Sequence, residues 1–134
     1  MQQSQRGFTL IELVVVIVLL GILGVTALGK FQNLSTEAQT AANQGVASEI
    51  SAAAAINFAA ATLGTTGSIA LTGSIDCSTD LAGLFSSGTY PTGISVTGAP
   101  AACVAAGDPR NCSVAGSGTP AGATATATVI CTGP

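Results

Sequence analysis

Residues 8–28 read FTLIELVVVIVLLGILGVTAL, an almost unbroken apolar run bracketed by Arg6 and Lys30 and interrupted by a single carboxylate, Glu12. As a helix these 21 residues reach about 31 Å, the thickness of a bilayer's hydrocarbon core. The run predicts a membrane-inserted helix and leaves the rest of the 134 residues room for one modest domain. Glu12 stands one helical turn inside it. A carboxylate at that depth is costly unless it finds a partner, so it reads as functional before any other feature is considered.

Charge is scarce elsewhere too. Charged residues make up 7% of the chain, against about 25% in an ordinary soluble domain. Three scattered cations, Arg6, Lys30 and Arg110, cannot neutralise a run of phosphates, which excludes nucleic-acid binding through a basic surface. With no histidine, the commonest proton shuttle and metal ligand is missing. No nucleophile–base pair, metal cluster or phosphate loop is legible, so no catalytic, metal or cofactor residue is assigned and the expected role is not enzymatic. Cys77, Cys103, Cys112 and Cys131 all fall in the second half, with intervening lengths of 25, 8 and 18 residues that match no zinc spacing. They read as two disulfides in a non-cytosolic compartment, with all three pairings open.

Beyond Lys30 the apolar positions thin to a stripe: Phe31, Leu34, Ala38, Ala41, Gly45, Val46, Ile50, Ala54 and Phe58. That spacing predicts an amphipathic half of the same helix over residues 31–63, ended by Gly64. The sequence then turns to Gly, Thr, Ser and Ala. A short helix is expected over residues 79–85 with Ser78 as its N-cap, followed by strands at 93–97, 112–115 and 123–131. In the last, Thr124, Thr126, Thr128 and Ile130 alternate with Ala125, Ala127, Val129 and Cys131, so the Ala/Val/Cys face should turn inward. These 71 residues, 64–134, are few for a self-sufficient core, which fits packing on the helix and stapling by disulfides.

The start of the apolar run carries the sharpest signal. Arg6-Gly7-Phe8-Thr9-Leu10-Ile11-Glu12 before an apolar helix resembles the class III leader and N-terminal segment of type IV pilins and the related pseudopilins. The resemblance is specific over residues 6–31 and architectural beyond. It implies an α+β fold of lollipop form: a long N-terminal α-helix, half membrane-spanning and half amphipathic, packed on a small antiparallel, disulfide-bonded β-sheet head. The implied division is a leader over 1–7, a membrane and filament-core helix over 8–30, the amphipathic half over 31–63 and a β-rich head over 64–134. It also implies that prepilin peptidase cuts between Gly7 and Phe8 and N-methylates Phe8. Glu12 would support methylation and pair with the Phe8 amine of an adjacent copy during assembly. The implied partners are that peptidase, the pilus assembly machinery, the inner membrane before assembly, and further copies of the chain in an extracellular helical filament on a bacterial surface. Gly29-Lys30-Phe31-Gln32-Asn33-Leu34 further resembles mannose-sensitive haemagglutinin (MSHA) type pilins, although Gly29 stands where many pilins carry a proline.

Three rivals remain at this level. A minor pilin or a type II secretion pseudopilin would share the processing and serve a different machine. Val25-Thr26-Ala27 resembles a signal-peptidase site, which would leave a secreted domain starting at Leu28. A plain single-span anchor is the third. Both of the last two leave Glu12 inside the apolar run without a purpose.

Overall fold

The computed structural model describes residues 7–134, Gln32 by its backbone alone. The part of the expected leader over residues 1–6, Arg6 included, lies outside the described residues. The fold is α+β. Helix α1 (Leu10–Thr62) precedes β1 (Ser74–Ile75), a 3-10 turn at Ala82–Leu84, β2 (Ile94–Thr97), β3 (Ala101–Ala102), β4 (Pro109–Gly116) and β5 (Ala125–Ile130). The chain divides into two compact units, one ending at Ser35 and the other beginning at Thr36.

In the first unit α1 runs without a break through Gly21, Gly24 and Gly29. An added Cβ at any of the three would meet nothing within 4 Å. Each costs about 1 kcal/mol against alanine in a helix, so own-chain packing gives no return for them. Within the apolar run the side chains are exposed, Leu20 at 62% and Leu23 at 62% among them. The hydroxyl of Thr26 donates back to the carbonyls of Ile22 and Leu23, at 3.3 and 3.0 Å, so it carries no unmet donor into an apolar surrounding.

The second unit holds the core. Its part of α1 ends in a pair of bonds that satisfy the last carbonyls: Gly64 N–H to Ala61 at 3.1 Å and Thr65 N–H to Ala60 at 3.0 Å. Gly64 sits at φ +64°, the left-handed conformation this ending needs. The later part of the expected stripe holds: Ile50 and Ala54 are buried and Val46 packs against the core, whereas Phe31 and Leu34 in the first unit and Ala38, Ala41 and Gly45 in the second are exposed. Asn43, Ala47 and Asn57 are buried as well, and hydrogen bonding explains the two asparagines. The Asn57 amide accepts from Ile69 N–H at 2.7 Å and donates to Ile69 carbonyl at 2.9 Å. The Asn43 amide donates to the carbonyls of Ala121 and Ala123 at 3.0 and 2.8 Å. Thr40 Oγ1 accepts from Ala123 N–H at 2.9 Å beside it. The intervening Gly122 is at φ +68°, and a Cβ there would stand 2.7 Å from the backbone nitrogen of Thr40. Two asparagines thus tie loops to the helix by backbone mimicry.

Three strands form an antiparallel sheet in the order β2-β4-β5, and β1 pairs with β3 in a separate two-stranded ribbon. Against expectation β2 is one residue shorter, β4 four longer and β5 three shorter, and β1 and β3 have too little pattern to be read from sequence. On β5 the alternation holds, with Ala127 and Val129 fully buried and Thr126 and Thr128 exposed. Thr128 N–H, on the outer edge of the sheet, donates to Ser51 Oγ on α1 at 2.9 Å. The expected helix over 79–85 is not formed. Asp76 Oδ1 instead accepts from Ser78 N–H and Oγ–H at 2.8 and 2.6 Å, and Asp80 Oδ2 accepts from Asp76 N–H at 2.7 Å. These local bonds hold the segment in turns, and only Ala82–Leu84 closes into a 3-10 turn.

Cys77 pairs with Cys112 and Cys103 with Cys131, closing separations of 35 and 28 residues. In the chain-entropy account each closure of that length is worth about 3–4 kcal/mol. Tyr90 adds a further tie: its hydroxyl donates to the Cys77 carbonyl at 2.5 Å and its ring meets Phe85 edge-on at 5.6 Å. Burial, with the carboxylates of Asp76 and Asp80 nearby, pushes Tyr90 up to about 12.

Two outcomes follow. Asn57→Ala strips both partners from Ile69 and should cost about 2–3 kcal/mol, while Gln44→Ala on the exposed face should stay within about 0.5 kcal/mol. Denaturant unfolding in detergent measures both, and equal losses would contradict the tie. The single tyrosine should ionise near pH 12 in the folded chain, against 10.0 for the unperturbed group. Because the fold favours the neutral form, this contribution is whole below pH 10 and is lost as pH rises through 12. A tyrosinate absorbance titration reads the midpoint, and a folded-state value at 10 would overturn the assignment.

Candidate processing and assembly site

The helix begins at Leu10, so Gly7, Phe8 and Thr9 lie outside it. Thr9 is the N-cap: its carbonyl accepts the Leu13 N–H at 3.3 Å, the first bond of the helical series. Its side chain and that of Glu12 satisfy each other's backbone. Thr9 Oγ1 accepts from Glu12 N–H at 3.4 Å, and Glu12 Oε2 accepts from Thr9 N–H at 2.8 Å. The Thr9 hydroxyl also donates to Glu12 Oε2 at 2.8 Å. This is a reciprocal capping box, with the acid three residues after the cap.

The box changes the account of Glu12. Read from sequence, the carboxylate had a partner only in an amine from another copy. In the folded chain one of its oxygens already holds two donors from Thr9, and an acid in the first turn is also favoured by the helix dipole. The signal was present as a threonine three residues ahead of an acid before an apolar run. Oε1 has no hydrogen-bond partner among the described residues. Phe8 is 93% exposed, and with Ile11, Glu12 and Val15 it borders one shallow apolar hollow at the head of the helix. Gly7 and Phe8, expected as the processing pair, therefore lie in non-helical backbone next to a fixed carboxylate.

The profile described as the prokaryotic N-terminal methylation motif matches residues 2–28. The chain carries a class III prepilin leader. The match supports a type IV pilin-like or pseudopilin precursor, and such a leader implies processing by prepilin peptidase and engagement with pilus-type machinery. The leader and the apolar helix together fit membrane anchoring before assembly. Comparison with curated proteins and with solved structures gives no match. The methylation-motif match covers about a fifth of the chain, so residues 36–134 are described by their own geometry alone.

In that head the four cysteines are all spent in disulfides, and none is a free thiol. Arg110 lies on β4 and donates to the carbonyls of Pro109 and Ala102, with Asp108 Oδ2 at 3.7 Å. Asp108 Oδ2 also accepts from Val104 and Ala105 N–H, at 3.0 and 2.9 Å. These groups bind the loop to the strands.

Proposed function

We propose that the prepilin is cut after Gly7, N-methylated on Phe8 and assembled as a structural, non-enzymatic subunit of a type IV pilus. The observation that supports this most is the apolar helix, exposed on every side in its own chain and carrying Glu12 one turn from its start. Moving such a helix from lipid into a bundle of its own kind gains little hydrophobic energy, because lipid tails are as apolar as leucine. Packing and polar pairs must then set the arrangement. Glu12 paired with the Phe8 amine of an adjacent copy would fix the axial stagger, and a head-to-tail contact of that kind repeats into an open filament. Gly21, Gly24 and Gly29, unused within the chain, suit close approach between helices. The filament would be extracellular, where the two disulfides persist.

A minor pilin or pseudopilin is the second reading, favoured by the same leader, and the abundance of the chain in filaments sheared from cells separates the two. The stretch around Lys30 leaves an MSHA-type subunit as the finer form of the first. A domain released at Leu28 is disfavoured by a methylation-motif match that runs to residue 28, through the whole of the apolar run.

Glu12→Val should insert in the membrane as the native chain does while its recovery in sheared filaments falls at least about tenfold, the loss of one charge-assisted pair per contact. Abundant filaments built of this variant would sink the pairing.

A further inference from the structure

The capping box bears on the modification step itself. Both of its donors come from Thr9, and both fall on a single oxygen of Glu12. We propose that Thr9 is a positioning residue for methylation of Phe8: it holds Glu12 Oε2 so that Oε1 faces the amine that cleavage creates. This rests on the reading that the chain is cut after Gly7.

Cleavage leaves every atom of the box in place, because Thr9 N, Thr9 Oγ1 and the Glu12 carboxylate all lie beyond the broken bond. The new amine is three covalent bonds from Thr9 N, within about 4 Å of it in any backbone conformation. Thr9 N is itself 2.8 Å from Oε2. Phe8 is non-helical and borders the same hollow as Glu12, so the amine is free to turn about its own backbone beside the carboxylate.

The chemistry asks for this arrangement. A terminal amine with a pKa of about 8 must react in its neutral form. Its lone pair forms an N–C bond to the methyl of a sulfonium donor as the S–C bond breaks. The donor leaves as a thioether and the methylated nitrogen takes the positive charge. An Oε1 that accepts one N–H fixes the direction of the lone pair, and it then faces the new cation. A carboxylate held by two donors has one orientation to offer; held by the backbone N–H alone it can turn away.

The test compares full-length native chain, Thr9→Val and Thr9→Ser in membranes containing prepilin peptidase and a sulfonium methyl donor. The methylated share of the cut chains is read early by intact mass. Thr9→Val keeps the shape and removes the hydroxyl, and its share should fall about tenfold, the weight of one hydrogen bond to a charged group. Thr9→Ser keeps the hydroxyl and should return to within about twofold of the native chain. Methylation of Thr9→Val at the native rate would overturn the proposal, as would a Thr9→Ser chain as slow as Thr9→Val. A native chain that is never cut after Gly7 would overturn the processing reading and this proposal with it.

Discussion

An apolar helix with no buried residue between Leu10 and Leu28 has to be solvated by something else, and every other feature of this chain is compatible with that demand. Lipid satisfies the side chains of residues 8–28 while the helix satisfies its own backbone. The two polar side chains that follow Thr9 in the run are also answered locally, Thr26 by the preceding turn and Glu12 by Thr9. The cap therefore does more than end a helix. It gives the carboxylate a resting partner, so that in the proposed assembly pairing with an amine from another copy would be an exchange of hydrogen bonds instead of the rescue of an orphaned charge. The net gain from such a pair would be smaller than a bare carboxylate in hydrocarbon would suggest, and its weight would fall on register and specificity.

The second unit solves a different problem, that of too little core. Its buried set is dominated by Ala, Val and Cys, with Ile50, Leu71, Ile75 and Leu81 the largest wholly apolar members. Covalent and polar ties make up the shortfall. Two disulfides interlace the segment from Cys77 to Cys131, and two buried asparagines on α1 hold the loops at Ile69 and at Ala121 to Ala123. Hydroxyls of Thr40 and Ser51 accept the exposed edge of β5 and the loop before it. The helix thus serves the head as a row of hydrogen-bonding partners as much as an apolar face.

That division explains what could be read from the residues and what could not. The apolar run, the leader and the single long helix follow from length and hydropathy, which act locally and leave little choice. The alternation of β5 was legible for the same reason. On residues 36–62 Ile50 and Ala54 were legible as buried, but Asn43 and Asn57 were not, because they look like surface residues until the carbonyls they bind are known. The turn at residues 76–81 went to side-chain bonds of Asp76 and Asp80 that compete with a helix, and β1 and β3 are two residues each, too short for any period. At the processing site Gly7, Phe8 and Glu12 are evident from the motif, while the part of Thr9 rests on its spacing to the acid, that of a capping box.

In the proposed subunit the apolar helix would be kept, with its freed and modified amine at the head of it. The intact mass and N-terminal sequence of the protein sheared from whole cells test this most directly. A chain that starts at Phe8 and is one methyl group heavier than its bare sequence is the predicted result. A chain that starts at Leu28, or still at Met1, would contradict it.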